Sequence, residues 1–162
     1  MISKMKKKGF TLVELLAVIA ILAILVIIAL PNVLSMYNEA RKNTFVTEVR
    51  DYYRAGEQNF LLNQGKQVVY SSITSIKGSK TLEMNGNKNM KYYIVFDANG
   101  KCTKLLATNG TYRVSATNSA GINIEDLGGT TYKVEESGST EFGLVADTTN
   151  GAAFTGDVKS DK

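Results

Sequence analysis

From Phe10 to Leu30 only Thr11 and Glu14 are polar. Apolar side chains fall on every face, so this stretch has no amphipathic period. As a helix rising 1.5 Å per residue it spans roughly 30 Å, the hydrocarbon thickness of a bilayer. Past Pro31 the pattern changes. Phe45, Val49, Tyr52, Gly56 and Phe60 follow one another at intervals of 4, 3, 4 and 4, a single helical stripe. Arg41, Glu48, Asp51 and Glu57 lie mostly off that stripe. The pattern persists to about Asn63, and Gly65 supplies a C′ stop. The spacing predicts one nearly continuous helix over 10–63, on the order of 80 Å long. The aromatic stripe Phe45, Tyr52 and Phe60 is read as domain core. Pro31 lacks an N–H and its ring meets the carbonyl of Ile27, so a kink or loosening is expected there.

The rest of the chain is strand-like and punctuated. Residues 65–90 read as a loop holding a short strand at Val68, Val69 and Tyr70 and a turn of helix within 71–75. Gly78, Asn85, Gly86 and Asn87 act as breakers. Lys91–Phe96 reads as a strand, Asp97 to Gly100 as a turn, and 101–107 as a second strand. Asn109-Gly110 is a two-residue hairpin signature leading into a third strand over 111–116. Tyr93, Val95, Leu106, Tyr112 and Val114 are the expected helix-facing positions. A fourth strand is expected over 131–135 and a fifth near 141–145; the polar, Gly-rich tail from Asp147 is expected to fray. The predicted fold class is α+β: a long N-terminal helix packed against a small antiparallel sheet.

Lys6, Lys7 and Lys8 stand before the apolar stretch and no equal basic cluster follows it closely. That asymmetry places the N-terminus in the cytoplasm and the remainder outside. An ordinary secretory signal does not fit, because no Ala-x-Ala-like exit follows the apolar stretch. A peptidase cutting after Gly9, on the cytoplasmic side, would remove the charges and leave the apolar helix in place. The chain then divides into a leader over 1–9, a membrane half-helix over 10–31, an amphipathic half-helix over 32–64 and a globular domain over 65–162.

Glu14 is the residue that needs a partner, since a carboxylate inside a membrane span costs roughly 2.5–3.5 kcal/mol. Cleavage at Gly9 creates one, the α-amine of Phe10, one helical turn away. The pair can close within one chain, or between two chains as a register device for buried charges.

Lys-Lys-Gly-Phe-Thr-Leu-Val-Glu-Leu-Leu, the apolar stretch and Pro31 together resemble the precursor of a type IV pilin-like protein. The resemblance covers residues 6 to about 55. It implies cleavage between Gly9 and Phe10 by a prepilin peptidase, N-methylation of Phe10, and homopolymerisation into an extracellular filament through the N-terminal helix. It favours pairing of Glu14 with a neighbouring subunit's Phe10 amine, and implies a pilin fold. The implied partners include the cytoplasmic membrane before assembly, a pilus assembly platform and, indirectly, its ATPase. In related pilins the segment before the proline can lose helicity; residues 10–30 here contain no glycine to favour that.

Composition refines the picture. The formal charge of +4 comes from the leader: without Lys4, Lys6, Lys7 and Lys8, 15 basic side chains face 15 acidic ones. The pI is therefore poor support for nucleic-acid binding. Arg41 to Arg113 carries 12 basic and 5 acidic residues, whereas Val114 to Lys162 carries 3 and 8. That segregation is read first as solvated surface with no assembly role; the alternative is oppositely charged faces that attract between adjacent subunits. The lone cysteine, Cys102, permits no intrachain disulfide; many Gram-negative pilins close a C-terminal loop with one, so the resemblance then implies a pilin of the Gram-positive kind or a pseudopilin. Cys102 is expected buried and inert.

No enzyme is legible. The chain has no His, no paired metal-ligand spacing, no Gly-x-Ser-x-Gly and no phosphate-binding Gly loop. Asp97-x-Asn99-Gly100 shares letters with an EF-hand loop but lacks the later ligands, so it reads as a turn. No cofactor is expected, and Asp147 and Asp157 are too far apart to argue for a metal. The function expected is a structural pilin of a filament for adhesion, aggregation or surface motility. The alternative is a pseudopilin of a type II secretion or DNA-uptake apparatus. A non-polymerising, signal-anchored binding module fits the Gly9-Phe10 junction poorly.

Overall fold

Helix α1 covers Leu12–Leu62 in the computed structural model, which describes residues 9–62, 66–83, 89–137, 143–147 and 151–154. The basic leader, the Gly65 stop, the Asn85 to Asn87 breakers and Asp157 lie outside the described residues. The chain divides into two units, Met1–Ala40 and Arg41–Lys162. In the second unit, the helix buries Phe45, Val46, Val49, Tyr52, Gly56 and Phe60, the stripe expected from the spacing with Val46 added. Its opposite side stays polar, so burial alone fixes which face meets the sheet.

Six strands form one mixed sheet: β1 (Val68–Ser71), β2 (Ser79–Lys80), β3 (Lys91–Phe96), β4 (Cys102–Thr108), β5 (Tyr112–Thr117) and β6 (Val134–Glu136). Their spatial order is β2-β1-β3-β4-β5-β6. All neighbours are antiparallel except β1 and β2, which pair in parallel. The arrangement is α+β and consistent with the pilin fold. Residues 72–78 make turns rather than the helical turn expected within 71–75. Ser71 explains this, because its hydroxyl accepts from Ile73 N at 2.9 Å and closes a local turn instead.

The sheet has two apolar faces, and this corrects the expected packing. Tyr112 and Val114 do face α1, together with Tyr92, Ile94, Phe96, Cys102, Leu105 and Ala107. Tyr93, Val95 and Leu106 belong instead to a second cluster on the outer face. That face is covered by a separate two-stranded ribbon, β7 (Leu144–Asp147) with β8 (Gly151–Phe154). Five consecutive residues of β3, Tyr92 to Phe96, are buried, so alternation carries no information on which face is which. A register shift opposite Val95 and Phe96 skips Thr103, which lets both Cys102 and Leu105 point at the helix.

The ribbon overturns the expectation that the tail frays throughout from Asp147. Ala152 and Phe154 are buried against the sheet. Gly151 has φ +83°, and a Cβ there would collide with the Tyr93 hydroxyl, so only glycine lets the strand begin so close. Arg113 lies 5.1 Å from the centre of the Phe154 ring, and pairs with Glu135 at 2.6 Å.

Two turns hold the meander. The Asp97 carboxylate accepts from Lys101 N and Asn99 N, each at 2.9 Å. The Lys101 amide is the main cause of an Asp97 carboxyl held below its ordinary value. The second turn sits one residue later than expected: Asn109 N donates to Tyr112 O, leaving Gly110 and Thr111 as the central pair. Gly110 has φ +91°, the conformation demanded of the first central residue in a II′ turn.

Phe96 is the centre of the core. It is fully buried, with the rings of Tyr53, Phe60 and Tyr70 at 5.7, 5.9 and 6.1 Å. Gly56 lets the helix approach it: a Cβ at that position would lie 2.9 Å from the Phe96 ring. Cys102 is buried beneath this cluster, and burial pushes its thiol up to about 12. Tyr53 is likewise pushed up to about 12 by burial.

Candidate functional site

Among its described residues the first unit buries no side chain. Every large apolar side chain from Leu12 to Leu34 is 50–74% exposed. Burying a Leu, Ile or Val is worth about 1.5–3 kcal/mol, so sixteen such side chains leave tens of kcal/mol unrealised within the chain. An 18-residue window of this helix has mean hydropathy 3.2, and none of it is buried. By length and composition it can cross a membrane. That is consistent with a membrane-anchored precursor.

The helix begins with a capping box. Thr11 occupies the N-cap and Glu14 the third helical position. Glu14 N donates to Thr11 Oγ1 at 3.2 Å, and Thr11 N donates back to Glu14 Oε2 at 2.8 Å. The Thr11 hydroxyl donates to the same Oε2 at 2.9 Å. This reciprocal arrangement satisfies two of the amide donors that a helix start leaves open. It also fixes where the carboxylate sits, at the N-terminal end of α1, where the helix dipole favours negative charge.

The structure thus brings Glu14 together with Thr11, a partner that reasoning from buried charge alone did not supply. The signal was present as Thr11-x-x-Glu14, four letters before an apolar run. Phe10 is 89% exposed, and Gly9 is exposed with nothing within 4 Å of where a Cβ would stand. Both peptide partners of the expected cleavage therefore lie in open space just before the cap. Pro31 is far from this end, and the helix assignment continues through it. The missing amide leaves the Ile27 carbonyl without its usual donor.

Among the described residues no group of three His, Cys, Asp or Glu side chains is placed to hold a metal ion. What the Gly9 to Glu14 segment offers chemically is an accessible peptide bond, a capped helix start with one fixed carboxylate, and an unpartnered apolar surface beyond it.

Comparison with curated proteins and with solved structures returned no match. One family model does match, the prokaryotic N-terminal methylation motif, over residues 4–30. That span takes in Gly9, Phe10, the capping box and the apolar helix up to the residue before Pro31. Motif, open junction and bare apolar helix agree: the chain carries a type IV pilin-like prepilin signal.

Proposed function

We propose that this chain is the structural subunit of an extracellular type IV pilus rather than an enzyme. The observation that carries the reading is the exposed Gly9-Phe10 junction set directly before a capped helix whose apolar side chains are exposed among the described residues. Cleavage after Gly9 frees the Phe10 amine for methylation and strips the basic leader. The helix stays in the membrane until it is transferred into the filament, where neighbouring helices replace lipid around it. Glu14 then pairs with the Phe10 amine of an adjacent subunit, so that both buried charges are neutralised at one axial depth only. Pro31 gives the helix a point of adjustment during that transfer, because one backbone hydrogen bond is already missing.

The test separates processing from assembly. In cells carrying Glu14→Leu, the chain is expected to be cut at Gly9 and to accumulate in the membrane, with no filaments in the sheared surface fraction. In cells carrying Gly9→Val, the chain keeps its leader and no filaments form. Abundant filaments built from the Glu14→Leu chain would remove the assigned role of the carboxylate. A wild-type chain that is cut but never reaches the sheared fraction would replace the pilus reading with a pseudopilin.

A further inference from the structure

Four Asn-Gly pairs occur in the chain, beginning at positions 85, 99, 109 and 150. Asn85 and Asn150 lie outside the described residues. Asn99-Gly100 and Asn109-Gly110 form the turns between β3 and β4 and between β4 and β5. Asparagine before glycine carries a reaction of its own. The glycine amide nitrogen can attack the carbonyl carbon of the asparagine side chain, because glycine has no Cβ to block the approach. Ring closure needs that amide to lose its proton and the side chain to swing towards it. The two turns differ in both respects.

At Asn109 both reacting groups are held. Gly110 N donates to Thr108 Oγ1 at 3.0 Å, and both residues are buried. The Thr108 hydroxyl is fixed in turn by donating to Tyr112 O at 2.7 Å. Asn109 Oδ1 accepts from Thr111 N at 3.1 Å and from Tyr112 N at 2.8 Å. Attack there has to open three hydrogen bonds, one of them fully buried. At the other turn Asp97, not Asn99, supplies the accepting side chain: its Oδ1 takes the amides of Asn99 and Lys101, each at 2.9 Å. The Asn99 side chain is exposed, and its Nδ2 reaches Asp97 Oδ2 only at 3.4 Å, a weak hydrogen bond. Gly100 N donates to Asp97 O at 3.1 Å, at a turn tip beside exposed Ala98 and Asn99.

We infer that Asn99 is a site of spontaneous covalent modification in the folded chain and that Asn109 is protected from it. The Gly100 nitrogen bonds to Asn99 Cγ and the Cγ–Nδ2 bond breaks. Nδ2 leaves as ammonia, taking up the proton that the Gly100 amide gives up. The product is a five-membered cyclic imide. Water then opens either of its C–N bonds and leaves an aspartyl or an isoaspartyl residue at position 99. Water is the one co-reactant. Each conversion adds a negative charge beside Asp97. The isoaspartyl form also lengthens the main chain by one methylene, next to Gly100, where a Cβ would already meet the buried Phe60 ring at 2.9 Å. The change needs no second copy of the chain, so it stands apart from filament assembly.

The experiment uses the full-length chain in detergent, aged in mildly alkaline buffer made with heavy-oxygen water. The label marks only imides opened during the incubation. Trypsin separates the two asparagines, because Lys101 and Lys104 lie between them. The peptide that ends at Lys101 is expected to take up heavy oxygen and to split into two chromatographic forms. Its rate is expected to exceed that of the Asn109 peptide by at least about tenfold, the combined weight of the hydrogen bonds that Asn109 must open. In denaturant, where those bonds are gone, the two rates are expected to converge. Asn99→Gln, whose ring would have to be six-membered, is expected to abolish labelling at that position and leave the Asn109 peptide unchanged. An Asn99 that stays unlabelled in the folded chain, or an Asn109 that converts as fast, would overturn the assignment. A rate gap that persists in denaturant would overturn it too, by tracing the difference to neighbouring sequence instead of the turns.

Discussion

The two halves of α1 follow opposite rules. Between Leu12 and Leu34 the helix is apolar on all sides and exposed on all sides. Between Arg41 and Leu62 it is mixed in composition, yet Phe45, Val49, Tyr52 and Phe60 are almost completely buried. Hydrophobicity therefore does not say where a residue is buried; it says only that burial is needed. An amphipathic stripe finds its partner within the chain, because its polar side can face water. A helix without a polar side must find a solvent or a neighbour outside the chain. The fold of the second unit and the assembly of the first are thus separate problems written on one helix.

The largest effect that would sharpen this contrast is the removal of a ring from the core. Phe96→Ala is expected to destabilise the globular unit by about 3–5 kcal/mol, because three rings lose their common centre. Leu22→Ala, an equally apolar truncation in the first half, is expected to leave thermal unfolding of the globular unit in detergent unchanged. A comparable loss from both would break the comparison.

Alkaline pH acts on the globular unit through a buried thiol. In the unfolded chain the Cys102 thiol ionises near its ordinary value of 9.0, whereas the folded chain holds it to about 12. Below the first value neither state is ionised and stability is unaffected. Between the two, only the unfolded chain releases the proton, so stability falls as pH rises. The loss approaches about 4 kcal/mol at the top of that window, at 1.36 kcal/mol per unit. Tyr53, also raised to about 12, adds to it in the same direction. Denaturant midpoints from pH 8 to 11 check this, and Cys102→Ala is expected to flatten the slope.

Gly56→Ala comes next. The added methyl meets the Phe96 ring at 2.9 Å, and that ring is hemmed in by three others. Overpacking is expected to cost about 1–3 kcal/mol, despite alanine's better helix propensity. An unchanged or raised melting temperature would contradict the close helix–sheet approach. The smallest effect is Thr11→Ala, which removes the N-cap hydroxyl. It is expected to cost about 1 kcal/mol at the helix start. Hydrogen exchange should detect it at the first amides of α1 and nowhere in the globular unit.

The sequence was legible where burial is one-sided. The stripe Phe45, Val49, Tyr52, Gly56, Phe60 could be read because the other helix face is polar, and Tyr112 and Val114 because β5 alternates. At β3 the strand itself was legible over Lys91–Phe96 but its facing was not, because both faces are covered and period two disappears. Half of the ribbon that causes this was expected, as the strand near 141–145 that overlaps β7; β8 was hidden, since Gly151 to Phe154 are small or isolated apolar residues in a polar tail. The parallel pairing of β1 with β2 left no pattern, being two residues long. At the candidate site the motif singled out Gly9, Phe10 and Glu14; the structure leaves the first two exposed and puts Glu14 in the helix cap. Thr11 was readable too, but a search for a partner to a buried charge looks towards amines and passes over a hydroxyl and an amide one turn back.

A filament requires the apolar half of α1 to find its partners in other copies of the chain. N-terminal mass spectrometry of filaments sheared from native cells tests this most directly. The expected result is long filaments composed mainly of this chain, beginning at a methylated Phe10. A chain that retains residues 1–9 and stays in the membrane would contradict it.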